Sequence, residues 1–98
     1  MPENTQIVWD PKKAQRNLVR HGVSFEEAAT AFDDPYALLI EDETHSDDET
    51  RELLIGYSKR NRLLFVVFIE RSATVVRLIS ARLADGSERR KYEQEKRD

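Results

Sequence analysis

The chain has no cysteine, and only three glycines, three prolines and one tryptophan among its 98 residues. Without cysteine there is no disulfide staple and no thiol nucleophile, a pattern that fits a reducing compartment. Long apolar runs are missing too. The longest, residues 63–69, falls far short of the roughly 20 residues that span a bilayer. The opening Met1-Pro2-Glu3-Asn4-Thr5-Gln6 holds neither the basic region nor the apolar core of an export signal. The expectation is one cytoplasmic, soluble domain over residues 1–98, with one core and no membrane association. Repeats, low-complexity stretches and internal linkers are absent as well. A hydrophobic content of 39% is low for a globule yet above that of disordered chains.

Charge is abundant and segregated. Residues 1–25 carry four Lys/Arg against two Asp/Glu, residues 26–52 one against eleven, and residues 53–98 eleven against six. The net charge of −3 therefore hides local balances of +2, −10 and +5. An acidic total argues against nucleic-acid binding, but a basic patch acts locally because charges beyond about 8 Å are screened at physiological salt. The acidic stretch suits a basic partner, or steering of RNA toward the opposite face. Both charge sets also fit plain solvated faces.

Gln6–Trp9 reads as a short strand. Asp10-Pro11 starts a helix, with Asp10 capping free amides and Pro11 at the first helical position. Ala14 and Leu18 are expected on its buried face, and Gly22 closes it in the left-handed conformation. Ser24-x-x-Glu27 has the pattern of a capping box. Phe25, Ala28, Ala29 and Phe32 then form an amphipathic stripe that ends at Asp33-Asp34-Pro35. Residues 36–40 are extended, and an acidic loop covers residues 41–49. Three strands follow, Glu52–Ser58, Leu63–Glu70 and Thr74–Ala81, joined by hairpins into a meander. The middle strand is apolar on both faces and is expected at the centre, with a second cover besides the two early helices. The last helix, Gly86–Lys96, has little apolar surface beyond Tyr92 and is expected to project. The order β-α-α-β-β-β-β-α gives an α+β domain, two N-terminal helices on an antiparallel sheet with a C-terminal helix.

An ordered series of residues resembles the BrnT family of toxins. It begins with Trp9-Asp10, Lys13 and Asn17, then His21-Gly22-Val23-Ser24-Phe25-Glu26-Glu27-Ala28 and Phe32-Asp33-Asp34-Pro35. It continues through Glu41-Asp42, His45, Glu49, Arg51, Arg62-Leu63-Leu64, Ile79-Ser80-Ala81-Arg82, Ala84, Glu88-Arg89 and Tyr92. The resemblance covers roughly residues 6–93. It implies a RelE-like fold and a metal-free endoribonuclease without cofactor, the toxin of a type II toxin–antitoxin module. It further implies a hetero-oligomer with a BrnA-like antitoxin, which carries the DNA-binding domain, so that this chain meets DNA only indirectly. The first hairpin departs from the family, having Lys59-Arg60-Asn61 where a glycine is usual.

RNA cleavage without a metal needs a base for the 2′-hydroxyl, cations for the growing phosphorane charge, and an acid for the leaving 5′-oxygen. Arg77 and Arg82 are candidates for the cations, because guanidinium stays charged and its planar fork matches phosphate. Strict alternation puts them on opposite faces of their strand. They meet only if a bulge or the strand's end reorients Arg82. His45 is the acid–base candidate, and the surrounding carboxylates favour its imidazolium form, which suits an acid. Glu49 and Arg51 either orient it or pair with each other. Lys13 is a phosphate ligand or base, against the alternative of a solvated helix lysine. Tyr92 stacks on a base or donates to an oxyanion, or else anchors the last helix. Arg89, one turn earlier, adds a phosphate contact. Asp42, His45 and Glu49 have metal-ligand chemistry, but one histidine without cysteine makes a poor zinc set, so no metal is expected. Two other readings stay open: a catalytically inactive module that represses an operon with a DNA-binding partner, and a bare protein-interaction domain.

Overall fold

The computed structural model describes residues 4–42 and 51–97. A strand β1 (Gln6–Val8) leads into α1 (Pro11–His21) and α2 (Phe25–Thr30), which tightens into a 3₁₀ turn at Ala31–Asp33. Four strands follow, β2 (Leu38–Asp42), β3 (Arg51–Tyr57), β4 (Leu63–Ser72) and β5 (Val75–Leu83), and α3 (Gly86–Arg97) ends the chain. The element order is the one the sequence predicts. The sheet runs β1-β5-β4-β3-β2, with the apolar β4 at its centre.

One expectation changes here. The sheet is mixed, not antiparallel, because β1 pairs parallel to β5 through Gln6↔Val75, Ile7↔Val76 and Val8↔Arg77. The chain between these two strands supplies every other element except α3, so the return to β1 is long enough for a parallel pairing.

The helix boundaries follow local chemistry. The Asp10 carboxylate accepts from the Lys12 amide at 2.8 Å, and Gly22 (φ 70°) closes α1 by donating to Leu18 O at 2.9 Å. Seating of α1 differs from the sequence reading: Leu18 is 49% exposed, and Asn17 is buried in its place. Asn17 Nδ2 donates to Val23 O and to Ala81 O at 2.9 and 2.8 Å, while its Oδ1 accepts from Ala81 N at 3.1 Å. The side-chain amide thereby mimics a neighbouring strand on the edge of β5 that β1 leaves open.

Two apolar clusters lie on opposite faces. On the first, Val23, Phe25, Ala28 and Ala31 pack on Leu54, Leu64, Val66, Phe68, Val76, Leu78 and Ala81. On the second, Tyr92 joins Ile55 and Leu63, with Leu38, Ile40, Tyr57 and Phe65 around them. The last helix therefore docks instead of projecting, because one buried aromatic side chain, Tyr92, supplies the apolar contact for an otherwise charged helix.

Buried charge ties α2 to the β3–β4 hairpin. The Glu27 carboxylate, expected to close a capping box, leaves Ser24 to cap the helix alone and turns to the hairpin. There it accepts from Ser58 Oγ at 2.7 Å, from Arg62 Nε at 2.9 Å and from Arg62 Nη2. The hydrogen bond from Arg62, opposed by burial and helped by Ser58, holds its carboxyl below the usual range. The hairpin itself turns at Asn61, whose φ of 61° answers the missing glycine, since asparagine tolerates the left-handed region.

Two outcomes follow. Glu27→Gln is expected to cost about 3 kcal/mol in urea denaturation at neutral pH, the low end for a broken buried pair because Arg62 keeps partial access to water. Because the folded-state pKa is depressed, that advantage is present above the ordinary glutamate value of 4.5 and fades as pH falls below it, so the two proteins converge in acid. Separately, Asn61→Val is expected to cost about 1–2 kcal/mol while Asn61→Gly is tolerated, measured by the same denaturation.

Candidate functional site

The two strand arginines come to one face through an irregularity in β5. On β4 the pairing steps from Val67↔Ser80 to Phe68↔Leu78, so Ile79 is an extra residue without a partner. Val76 and Leu78 point into the helix-covered core before this bulge, and Ala81 does so after it. Arg77 and Arg82 therefore both emerge on the opposite face. An unbulged strand would have driven Ser80 and Arg82 under α1, and burying an unpaired guanidinium there costs far more than a kinked strand.

Cross-strand register assembles the rest of this face. One row reads Arg51, Ile69, Arg77, Val8, so Arg51 and Arg77 flank Ile69 about 10 Å apart, two strand spacings. A second row reads Leu38, Ile55, Phe65, Arg82. It lies about 13 Å along the sheet from the first, four residues at the strand rise. Tyr92 covers Ile55 in the second row, and between the rows Leu53 and Val67 remain half-buried. The face is thus an apolar saddle with α3 at one end and Arg51 and Arg77 at the other.

Arg82 is held in a fixed pose. Its guanidinium lies 4.2 Å above the Phe65 ring, and its Nη1 and Nη2 donate to Glu88 at 2.9 and 2.8 Å. Nη1 also donates to Leu83 O at 3.1 Å. The hydrogen bond to Glu88 raises the Arg82 pKa further, so the group stays charged. The Nε–H and one Nη2–H keep no partner among the described residues, and these two form the side-on fork that fits a phosphate. Glu88 is itself fixed by a capping exchange with Asp85, whose amide it accepts at 2.9 Å while Asp85 accepts its own amide at 2.8 Å. Residue-by-residue reasoning missed Glu88 and Phe65. The Asp85-x-x-Glu88 pattern at the start of α3 was the available signal.

Tyr92 is buried to 2% exposure, with its hydroxyl donating to Asp34 Oδ2 at 2.7 Å and its ring edge-on to Tyr57 at 5.4 Å. Burial first, then Asp34, pushes this hydroxyl far above the ordinary tyrosine range and keeps its proton in place. Of the two roles the sequence allows, this geometry serves the anchor: the ring has no free face for a base. Asp34 also accepts from the Tyr36 and Tyr57 amides at 2.9 and 2.8 Å. Burial opposes its charge, but these donors outweigh it and lower its pKa.

Arg89 is exposed and donates to the Tyr57 hydroxyl at 3.1 Å, at the α3 end of the same face. Lys13 is not on this face. It lines a cleft at the α1 edge of β5 with Arg16, Asn17, Arg20, His21, Ile79 and Ser80. His45 and Glu49 lie outside the described residues. Among the described residues no group of three or more His, Cys, Asp or Glu is arranged to hold a metal ion, and no helix is long and apolar enough to cross a membrane.

Comparison with known proteins agrees with this architecture. A family model described as the ribonuclease toxin BrnT of type II toxin–antitoxin systems matches residues 9–88. Among solved structures, the 1.1 Å crystal structure of the Brucella abortus ribonuclease toxin BrnT is similar with a TM-score of 0.57 and 26% identity. That similarity covers 83% of this chain and 97% of the other. No curated protein sequence matches.

Tyr92→Phe is expected to lower stability by about 1.5–3 kcal/mol, the range for a hydrogen bond to a charged group. Amide hydrogen exchange should localise part of the loss to α3, while the strand core stays protected.

Proposed function

This chain belongs to the BrnT family of ribonuclease toxins of type II toxin–antitoxin systems, and we propose that it cleaves RNA on the arginine-bearing face of its sheet without a metal ion. The observation that carries this reading is the bulge at Ile79, which brings Arg77 and Arg82 to the face that also holds Arg51. In the reaction the ribose 2′-hydroxyl gives its proton to solvent water as its oxygen attacks phosphorus, and the bond to the 5′-oxygen breaks, leaving a 2′,3′-cyclic phosphate and, once that oxygen is protonated, a 5′-hydroxyl. Negative charge grows on the non-bridging oxygens, and the side-on fork of Arg82 meets it without reorganising. Arg77 and Arg51 hold neighbouring backbone, with Arg89 at the α3 end. His45 protonates the leaving oxygen, a role that rests on imidazole chemistry. Tyr92 acts indirectly, by fixing the helix that carries Glu88. The same reading includes the RelE-like grouping of the fold.

The antitoxin in this reading is BrnA-like and basic where it touches the toxin. Glu41, Glu52 and Glu70 gather on the helix-bearing face, beyond the cover of α2. Burial, and then Glu70 and Glu41, raise the pKa of Glu52, so a cationic partner there relieves a local excess of negative charge.

Purified chain incubated with RNA in EDTA is expected to cleave it. Arg82→Ala should lower the rate by about 10²–10³-fold, as for loss of one oxyanion donor, and Arg82→Lys should not restore it because a lysine lacks the fork. Intact RNA after incubation with folded wild-type protein would sink the nuclease reading. Salt-sensitive DNA retention seen only with the partner present would then select the repressor module.

A further inference from the structure

We propose that the cationic face of α1 is a second RNA-backbone subsite, holding the strand beside the scissile phosphodiester as it crosses the edge of β5. The proposal rests on the nuclease reading above for the location of the scissile group. Lys13, Arg16, Arg20 and His21 line one cleft of about 170 Å³ whose floor is Asn17, Ile79 and Ser80. The three longest side chains fall at i, i+3 and i+7, along one side of the helix. Among the described residues no carboxylate lines this cleft. Among the described residues Lys13 and Arg20 have no ion-pair partner, and the guanidinium of Arg16 touches only Lys12 O at 3.4 Å.

Continuity with the arginine face is what separates this row from an ordinary solvated helix surface. Ser80 lines the cleft, and it also pairs with Val67, on the sheet face between Arg77 and Arg82. The bulge residue Ile79 forms the rim that joins them. Beyond Arg77 the edge of β5 carries no further strand among the described residues, since β1 stops pairing at Val8. A polyanion leaving the Arg77–Arg82 stretch therefore passes directly onto α1. The cations wait on a rigid support: the buried Asn17 fastens this turn of the helix to Ala81 and Val23 by three hydrogen bonds. Fixed cations lose less freedom on binding than those of a mobile loop. The ligand is a flexible single strand of RNA, because contact on two surfaces meeting at an edge requires a backbone that bends sharply over a few nucleotides.

The test uses the full chain and a mixed-sequence 2′-O-methyl RNA, which binds but cannot be cut. The variant Lys13→Gln/Arg16→Gln/Arg20→Gln is compared with a charge-matched control, Lys59→Gln/Arg90→Gln/Lys91→Gln. The α1 variant is expected to bind about tenfold or more weakly and to lose about 2 from the slope of log affinity against log salt, at about 0.7 per phosphate contact. The control should keep the wild-type slope. Equal losses in both variants, an unchanged slope in the α1 variant, or no binding by wild type would overturn the subsite. So would a loss confined to duplex DNA, or confined to an antitoxin partner. Should the triple variant lose its urea transition, Lys13→Glu alone replaces it and must still lower the slope. Cleavage is scored separately. Wild-type protein that binds but never cuts removes the nuclease reading and leaves the subsite to be judged on binding.

Discussion

An asparagine side chain and an extra strand residue together set the geometry of this molecule. Asn17 bonds both backbone groups of Ala81, which fixes the phase of β5 where α1 crosses it. Ile79, two residues earlier, is the bulge that makes this phase compatible with Val76 and Leu78 also facing the core. Remove the bulge, and either Ala81 leaves the core while Arg82 enters it, or Leu78 leaves while Arg77 enters. The location of α1, the closed edge of β5 and the shared face of Arg77 and Arg82 all depend on this pair of features. Asn17 is also a demanding choice: its amide is buried, so any substitution that removes one of its three bonds leaves a buried donor or acceptor unmatched.

Two carboxylates from the acidic part of the chain do structural work in a similar way. Glu27 gathers the β3–β4 hairpin beneath α2, and Asp34 gathers Tyr36, Tyr57 and Tyr92 at the same, C-terminal end of β3. Each accepts several hydrogen bonds, which offsets the cost of taking its charge out of water. Gly56 shows how closely this assembly is drawn together. A Cβ there would lie 3.1 Å from Ala31 O and 3.2 Å from Ala37 Cβ, so the 3₁₀ turn rests directly on the backbone of β3. Since Tyr92 is the main apolar contact of α3, Asp34 also governs how Glu88 and Arg82 are presented.

The order of elements was legible because each boundary has a local signal, such as Asp10-Pro11, Gly22, Ser24 and the alternating strands. The parallel pairing of β1 was not, since a three-residue strand carries no register information of its own. Leu18 was misjudged for a clearer reason. Apolar periodicity prefers leucine to asparagine on a buried stripe, whereas the open edge of β5 needed an amide. The bulge was half visible. Unbroken alternation from Val76 would bury Ser80 and Arg82, and a phase change in the core pattern is what a conflict of that kind implies. Tyr92 was identified with both of its possible roles, and only the hydroxyl of a neighbour-bound ring in the folded state distinguishes them.

Arg82 and Glu88 form a pair with no net charge, which divides the electrostatic work of the proposed site. At separations near 4 Å and an effective dielectric constant of about 20, unit charges interact by about 4 kcal/mol, so Glu88 cancels most of the attraction Arg82 exerts at a distance. What survives is directional: two donors held in a plane by Phe65 and Glu88, effective only when a phosphate oxygen is already in contact. Capture must then come from cations that keep their field. Those are Arg51 and Arg77 on the sheet, and the α1 row on its edge, each acting locally because the screening length is about 8 Å. Loss of the capturing charges should therefore weaken binding in a salt-dependent way, whereas loss of Arg82 should act on the chemical step. The separation follows from geometry alone, because a fork already engaged on one side cannot attract a distant anion but can receive a near one with little entropy left to lose.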